Sequence, residues 1–319
     1  MKVFKKTEQG PKILVILGPT CSGKSELAVS LAKKFNGEVI SADSRQVYRG
    51  LDKSSSKVPG KWVISGVKRM FMYKGVRHHL VDITPLRRRF TVQQFKKKGK
   101  KAIKNILSRG KVPIIAGGTG FYLDALVYDL DIPRVPPNRK LRKELDNLST
   151  DELYNRLKGL DPKSAKRVDP NNRVRIIRAI EIVVMTGSPI PEIDLTGEEA
   201  PYETLQIGIK LPEDELKRRI HSVAKNRVNE GVVEEITQLH NKGVSWDRFI
   251  ELGMEYRHIA RYLKSSDITQ DELRKALENE FWQYSRRQMV WFRRAKNITW
   301  ISDPSEAVPI VQDFLSPSA

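Results

Sequence analysis

Cysteine is nearly absent: Cys21 is the only one in 319 residues. That excludes a disulfide within the chain and any zinc centre built on thiolates. No apolar run approaches the length of a membrane span, and the stretch from Met1 to Lys12 lacks the apolar middle of a signal peptide. A soluble cytoplasmic protein without a membrane segment is expected, and since nothing in the pattern demands a second chain, a monomer. No internal repeat is present. Acid is scarce as well, with 38 Asp and Glu against 58 Lys and Arg and a formal net charge of +20. Such an excess favours a polyanionic partner, nucleic acid first, over a small neutral one. The imbalance is steepest from Leu86 to Lys111, which holds eleven basic residues and no acid. Those charges repel one another unless a polyanion or counterions screen them.

Against these absences stands one complete motif. The apolar run Ile13 to Leu17 breaks into Gly18-Pro19-Thr20-Cys21-Ser22-Gly23-Lys24-Ser25 and then into a helix-like stretch, Glu26 to Phe35. This is the G-x-x-x-x-G-K-[ST] phosphate loop in its strand-to-helix setting. Gly18 and Gly23 let the backbone curl so that successive N–H groups face one anion, at the positive end of the following helix. Lys24 adds a point charge, and the Ser25 hydroxyl is placed to hold Mg²⁺. The site binds a polyphosphate.

The length suits one large domain with an insertion. Glu38 to Ala42 reads as a second buried strand that delivers Asp43, Ser44, Arg45 and Gln46 at its C-terminal end, the edge where open parallel sheets bind ligands. Residues 53 to 77 show no clear periodicity and read as a mobile or substrate-covering loop. His78 to Ile83 resembles a third strand, in which alternation would point the two His rings to opposite faces. Thr91 and Gln94 form a capping box before a helix carried by Val92, Phe95, Ala102, Ile103, Ile106 and Leu107. Val112 to Ala116 is another buried strand, followed by Gly117-Gly118-Thr119-Gly120. It ends without the acid that nucleoside-triphosphate hydrolases use for Mg²⁺, which argues against an ATPase. After the proline-rich stretch Ile132 to Pro137, polar helices extend to about Gly187. Thr204 to Leu211 reads as a returning strand, Pro212 to about His240 as one long helix, and Leu273 to Lys296 as a helix with aromatics on one face. Arg286 and Arg287 lie on its other face, better placed for phosphate.

The ordered set GPTCSGKS (18 to 25), SADSRQVYRGLD (41 to 52), HHLVDI (78 to 83), FTVQQF (90 to 95), IIAGGTGFYLDAL (114 to 126), NNRVRIIRAIE (171 to 181) and RRQMVWFRR (286 to 294) resembles the tRNA dimethylallyltransferase family, the tRNA isopentenyltransferases. The resemblance runs over nearly the whole chain. It implies an α/β fold, a P-loop NTPase-like parallel sheet core flanked by helices, interrupted by a helical insertion. The expected parts are residues 1–133, an insertion at 134–195, and 196–319. It also implies transfer of a dimethylallyl group from dimethylallyl diphosphate to N6 of adenosine 37 in the anticodon stem-loop of tRNA, with Mg²⁺ as cofactor. By match to the family, Thr119 lies near the target nucleotide and the diphosphate. Ser44, Arg45 and Gln46 contact the RNA, as do Arg142 and the stretch Asn171, Asn172, Arg173, Val174 and Arg175 in the insertion.

Elementary chemistry fits that reaction. The C–O bond to a diphosphate breaks when the leaving group's growing charge is stabilised, which the loop amides, Lys24 and a Mg²⁺ on Ser25 can do. Adenine N6 is a poor nucleophile, so a carboxylate should take its proton; Asp43 stands at the right strand end. Lys24, Asp43 and Thr119 are thus the expected catalytic residues. One departure stands out: the family usually has an Arg three residues after the Arg-Ile pair, where this chain has Val223 after Arg219-Ile220. Lys225 and Arg227, the candidates to substitute, are both displaced along the helix, so either diphosphate affinity is reduced or another cation takes the role. Leu252 to Arg257 also departs from the commoner Gly-Tyr-Lys-Glu form and is kept as an RNA contact. Three rivals share some features: a small-molecule kinase, a prenyltransferase acting on free adenine nucleotides, and an RNA-binding protein without catalysis.

Overall fold

The computed structural model describes residues 10–192, 195 and 200–316. The stretch Met1 to Gln9, read above for a leader, and part of the expected boundary at 195 lie outside them. The chain divides into two compact units, Met1–Asp129 with Leu195–Ala319, and Leu130–Asp194.

The larger unit is built on one sheet of eight strands. Its centre is β1 (Lys12–Leu17), β2 (Gly37–Ser41), β6 (Val112–Ala116) and β7 (Glu203–Ile209), whose Val- and Ile-rich runs are buried on both faces, as parallel strands covered by helices must be. With β3 (Lys61–Ser65), β4 (Lys68–Tyr73), β5 (Val76–His79) and β8 (Ile298–Ile301), the order is β3-β4-β5-β2-β6-β1-β7-β8. All neighbours from β5 to β8 run parallel; β3 and β4 are antiparallel. Helix α1 (Lys24–Lys34) packs Leu27, Val29 and Leu31 on one face. On the other face, α2 (Val92–Leu107) and α3 (Gly120–Val127) pack Phe95, Ile103, Ile106 and Leu123. The Thr91–Gln94 capping box is present in full, the Gln94 N–H reaching Thr91 Oγ1 at 3.3 Å and the Thr91 N–H reaching Gln94 Oε1 at 3.0 Å.

Three readings of the sequence change. Residues 53 to 77 are not a loop throughout: β3 and β4 form an antiparallel hairpin that shows no alternation because β3 buries almost nothing, with Val63 and Ile64 exposed and only Trp62 half-buried. The strand at His78 stops at His79, since Leu80 and Asp82 adopt positive φ of 62° and 54° and turn the chain. The helix begun at Pro212 is two helices, α8 (Glu213–Asn229) and α9 (Val232–Asn241), parted at Gly231 with φ 90°.

The smaller unit holds α4 (Arg139–Asp146), α5 (Thr150–Leu160), α6 (Pro162–Arg167) and α7 (Arg173–Thr186) around Leu145, Leu153, Leu157, Ile176 and Ile180. Returning to the larger unit, α10 (Trp246–Leu252), α11 (Met254–Lys264) and α12 (Gln270–Phe292) pack with α8 around Phe249, Tyr256, Leu277 and Phe281. Helix α13 (Ala307–Leu315) closes the chain. None of the described helices is long and apolar enough to cross a membrane.

Candidate active site

Strands β1, β2 and β6 are adjacent and parallel, so the three segments that follow them emerge side by side. Register sharpens this, because Ile16 and Ser41 both pair with Ala116. Backbone bonds then continue past the strands: Ala42 N–H to Ala116 O at 2.8 Å, Gly117 N–H to Ile16 O at 3.1 Å and Thr119 N–H to Ala42 O at 3.2 Å. Position in the sheet, rather than position in sequence, brings residues 18–25, 43–46 and 117–120 together.

Gly23 caps α1 with φ 92°, a left-handed turn that a side chain would strain. Lys24 donates to Pro19 O at 2.5 Å and to Ser22 Oγ at 3.5 Å. Burial pulls its pKa down to about 8, against the opposing influence of Cys21 and Asp43 beside it. The Cys21 thiol is pushed up by burial despite Arg227 and Lys24 nearby, which makes it a packing residue rather than a nucleophile. Ser25 is half-buried at the start of α1.

Asp43 Oδ1 accepts from the N–H groups of Arg45 at 2.7 Å and Gln46 at 3.2 Å. Those bonds fix the carboxylate's direction. The Ser44 N–H donates to Thr119 Oγ1 at 3.1 Å, tying the second loop to the third. Arg45 and Gln46, expected at the RNA, have their polar ends engaged by protein. Arg45 donates to Leu252 O at 2.5 Å and Ser44 Oγ at 3.0 Å, and Gln46 bridges Ser41 Oγ at 2.8 Å and Ser56 O at 3.2 Å.

Several residues that bear on this site were not singled out from the sequence. Gln288 accepts from the Thr20 N–H at 2.7 Å and donates to Gly118 O at 2.8 Å, so α12 staples the phosphate loop to the third loop. Gly118 and Gly120 make room for it, since a Cβ there would lie 2.2 Å from Gln288 Nε2 and 2.1 Å from Trp291. Trp291 Nε1 donates to Asp124 at 2.9 Å, and burial raises that carboxyl to about 6. Tyr284 lies among Asp43, Arg45 and Thr119; burial pushes its hydroxyl up to about 12, leaving it a neutral donor. The spacing of 284, 288 and 291 is one helix face, the signal that would have found them.

Three cations of α8 lie near Val223 in sequence, and the structure places them differently. Lys225 is exposed and lines a separate cleft with Asn229 and Arg274, so it does not serve as the substitute. Arg219, one turn before Val223, brings Nη1 to 3.6 Å from where a Cβ on Gly23 would stand, while its Nη2 pairs with Glu215 at 2.5 Å. Arg227, one turn after it, is buried, bonded to Glu255 at 2.8 Å and to Ser56, and lies 4.5 Å over the Phe281 ring. The expectation that Leu252 to Arg257 meets RNA fails at Glu255 and Tyr256, which are buried.

In the smaller unit, Glu181 is wholly buried, and Arg142 grips both its oxygens at 2.9 Å while Arg178 and the Asn138 N–H complete its shell. Burial alone would raise Glu181, but these partners outweigh it and hold the carboxyl down at about 2. Arg173 donates to three carbonyls at the end of α4, Leu145, Asp146 and Leu148, at 3.0, 2.9 and 2.5 Å. Asn172 caps α7 through the Arg175 N–H at 3.2 Å. Asn171, Val174 and Arg175 are exposed. In the larger unit, Arg286 is exposed beside Pro19 in an open groove, and Arg287 pairs with Glu280 at 2.8 Å.

Comparison with known proteins fits this geometry. The family model described as IPP transferase matches residues 46–295. Similar relatives include tRNA dimethylallyltransferase 2 of Citrifermentans bemidjiense, 37% identical over 97% of this chain and 96% of the relative. The tRNA dimethylallyltransferase of Geobacter sulfurreducens is 38% identical over 92% and 93%. Among solved structures, the tRNA isopentenylpyrophosphate transferase of Bacillus halodurans is 32% identical, with a TM-score of 0.67 over 95% of both chains. A eukaryotic dimethylallyltransferase described as acting on tRNA is 25% identical, with a TM-score of 0.76 over 96% of this chain and 79% of that one. With the family model matching residues 46–295 and a relative 37% identical over 97% of the chain, which takes in the phosphate loop and Asp43, the chain belongs to the IPP transferase family.

Proposed function

We propose that the chain transfers the dimethylallyl group of dimethylallyl diphosphate to N6 of adenosine 37 in tRNA. The observation that carries this reading is the joining of the phosphate loop to Asp43 and Thr119 at one sheet edge. A kinase would use the same loop, but an alkyl transfer explains why a fixed carboxylate rather than a metal-binding acid faces it.

The diphosphate lies on the loop amides of residues 18–25, with Lys24 and Arg219 on its charge. N6 attacks the first carbon of the dimethylallyl group, the C–O bond breaks, and its electron pair leaves on the diphosphate. The N6 proton passes to Asp43, whose Oδ1 is engaged by two amides while Oδ2 accepts no hydrogen bond among the described residues. Thr119 and Tyr284 border the incoming base. The Ser25 hydroxyl, half-buried at the start of α1 beside the phosphate loop, would hold Mg²⁺. When bound, the ion adds charge stabilisation to the leaving group.

The target base must leave the anticodon stack to reach Asp43, at a cost of a few kcal/mol that backbone contacts offset. The exposed Arg286, Arg287, Asn171, Val174 and Arg175 are candidates for those contacts, whereas the polar ends of Arg45, Gln46, Arg142 and Arg173 are engaged by the protein itself. A competitor substrate tests the reading: transfer of label from dimethylallyl diphosphate to an anticodon stem-loop with adenosine 37 should exceed transfer to AMP at matched concentration. Faster labelling of AMP would replace it with a free-nucleotide prenyltransferase.

A further inference from the structure

The eleven basic residues between Leu86 and Lys111 separate into two groups in the structure. One group has acids brought from elsewhere in the chain: Lys96 and Lys100 pair with Asp129 at 2.6 and 2.8 Å, Arg89 with Glu251 at 2.6 Å, and Arg109 and Lys111 with Glu38. The other group includes Lys98 and Lys101, for which no ion pair occurs among the described residues. These two are on the flank of α2 that faces the β3–β4 hairpin.

Between hairpin and helix runs an open groove of about 430 Å³, with Phe71, Leu80 and Val81 at its floor. Its rim carries Arg69, Lys98 and Lys101, for which no ion pair occurs among the described residues, together with Arg77 and Arg109, which pair with Glu38. The nearby acid, Glu38, is buried, and Arg109, His79 and Lys111 already surround it. It leaves no negative charge on the rim. The Arg69 guanidinium sits over Trp62, its Cζ 4.4 Å from the ring centroid, and Trp62 in turn meets Phe71 edge-on at 5.6 Å. A guanidinium plane braced by an indole is a surface on which a nucleobase stacks.

We propose that this groove binds the substrate RNA outside the target nucleotide. The inference rests on the tRNA reading above and extends it to a second contact surface. Charge complementarity favours a polyanion, and the planar Arg69–Trp62 pair favours one that carries bases. Position agrees: β4 lies two strands from β2, roughly 10 Å to the side of the strand that ends at Asp43. Helix α2 continues from Lys98 to Leu107 over roughly 14 Å, away from that edge.

The test is tRNA binding by the full chain over a series of KCl concentrations, comparing the wild type with Lys98→Ala/Lys101→Ala and, separately, Arg69→Gln. The double variant should bind full-length tRNA about tenfold more weakly at low salt and lose just under about two units of log–log salt slope. Turnover at saturating tRNA and the KM for dimethylallyl diphosphate should stay at wild-type values. Arg69→Gln should weaken binding and also abolish photo-crosslinks between the RNA and Trp62. An unchanged affinity and slope in the double variant would overturn the proposal and leave the groove to an acidic protein surface. Failure of the wild type to alkylate tRNA would instead strike the proposed function, because the binding measurement reads the groove without catalysis.

Discussion

The polar residues of the sheet edge and those of the helical insertion were both expected at the substrate, yet the structure uses them differently. At the sheet edge, Lys24, Asp43 and Thr119 come from three strand ends whose backbone bonds are already satisfied by the ladder. Their side chains bond within the loops that follow those strands, Asp43 to the Arg45 and Gln46 N–H groups and Thr119 to the Ser44 N–H. In the insertion, Arg142 and Arg178 neutralise buried Glu181, and Arg173 satisfies three carbonyls at the end of α4. A unit this small buries little apolar surface, so polar side chains supply part of its cohesion. The same residue types thus mark chemistry in one unit and construction in the other.

The sharpest way to break this contrast is at Asp43. Asp43→Asn should keep both substrates bound and lower turnover by about 10² or more, the scale of a positioned general base. Near-normal turnover measured at saturating substrates would remove Asp43 from the proton transfer. In the insertion the contrast predicts the reverse pattern. Arg173→Ala should destabilise that unit by about 2–3 kcal/mol, since three carbonyls lose a charged donor, whereas Arg175→Ala should leave its thermal unfolding unchanged. Equal effects of the two variants in a calorimetric scan would contradict the division.

A smaller effect is expected at Asp124, beside Trp291. Its folded-state pKa of about 6 stands above the ordinary carboxylate value, so the folded chain binds the proton more tightly than the unfolded one. The stability that protonated Asp124 provides is complete below about pH 4 and is lost as pH rises through about 6. Asp124→Asn should therefore gain about 1–2 kcal/mol at neutral pH, less than the full shift implies because the amide accepts more weakly from Trp291. The gain should vanish in unfolding curves recorded near pH 4. Smallest is the pH effect at Lys24: affinity for the donor should decline as pH rises through about 8, where the buried amine of the free protein loses its proton. A flat profile of donor affinity across that range would assign the phosphate contact to other groups.

Much of this site was legible in the sequence because its parts are local. The phosphate loop, the Thr91 capping box and the buried strands of the centre each depend on neighbours within a few residues. What escaped reading depends on distant partners. The acids that neutralise Lys96, Lys100, Arg89 and Arg109 come from Asp129, Glu251 and Glu38, so a stretch without acid could not reveal its own balance. Gln288 became significant only when α12 was laid on the Gly118 turn, and the β3–β4 hairpin hid because β3 buries almost nothing. Arg219 was read as part of a pair preceding a missing arginine; helix geometry sends it back one turn toward Gly23.

The most direct test of the central claim is mass spectrometry of nucleosides from tRNA incubated with the protein, Mg²⁺ and dimethylallyl diphosphate, with Asp43→Asn in parallel. The account predicts N6-(dimethylallyl)adenosine at position 37 with the wild type and at least about a hundredfold slower formation with the variant. Unmodified tRNA after incubation with a wild-type protein that binds both substrates would contradict it.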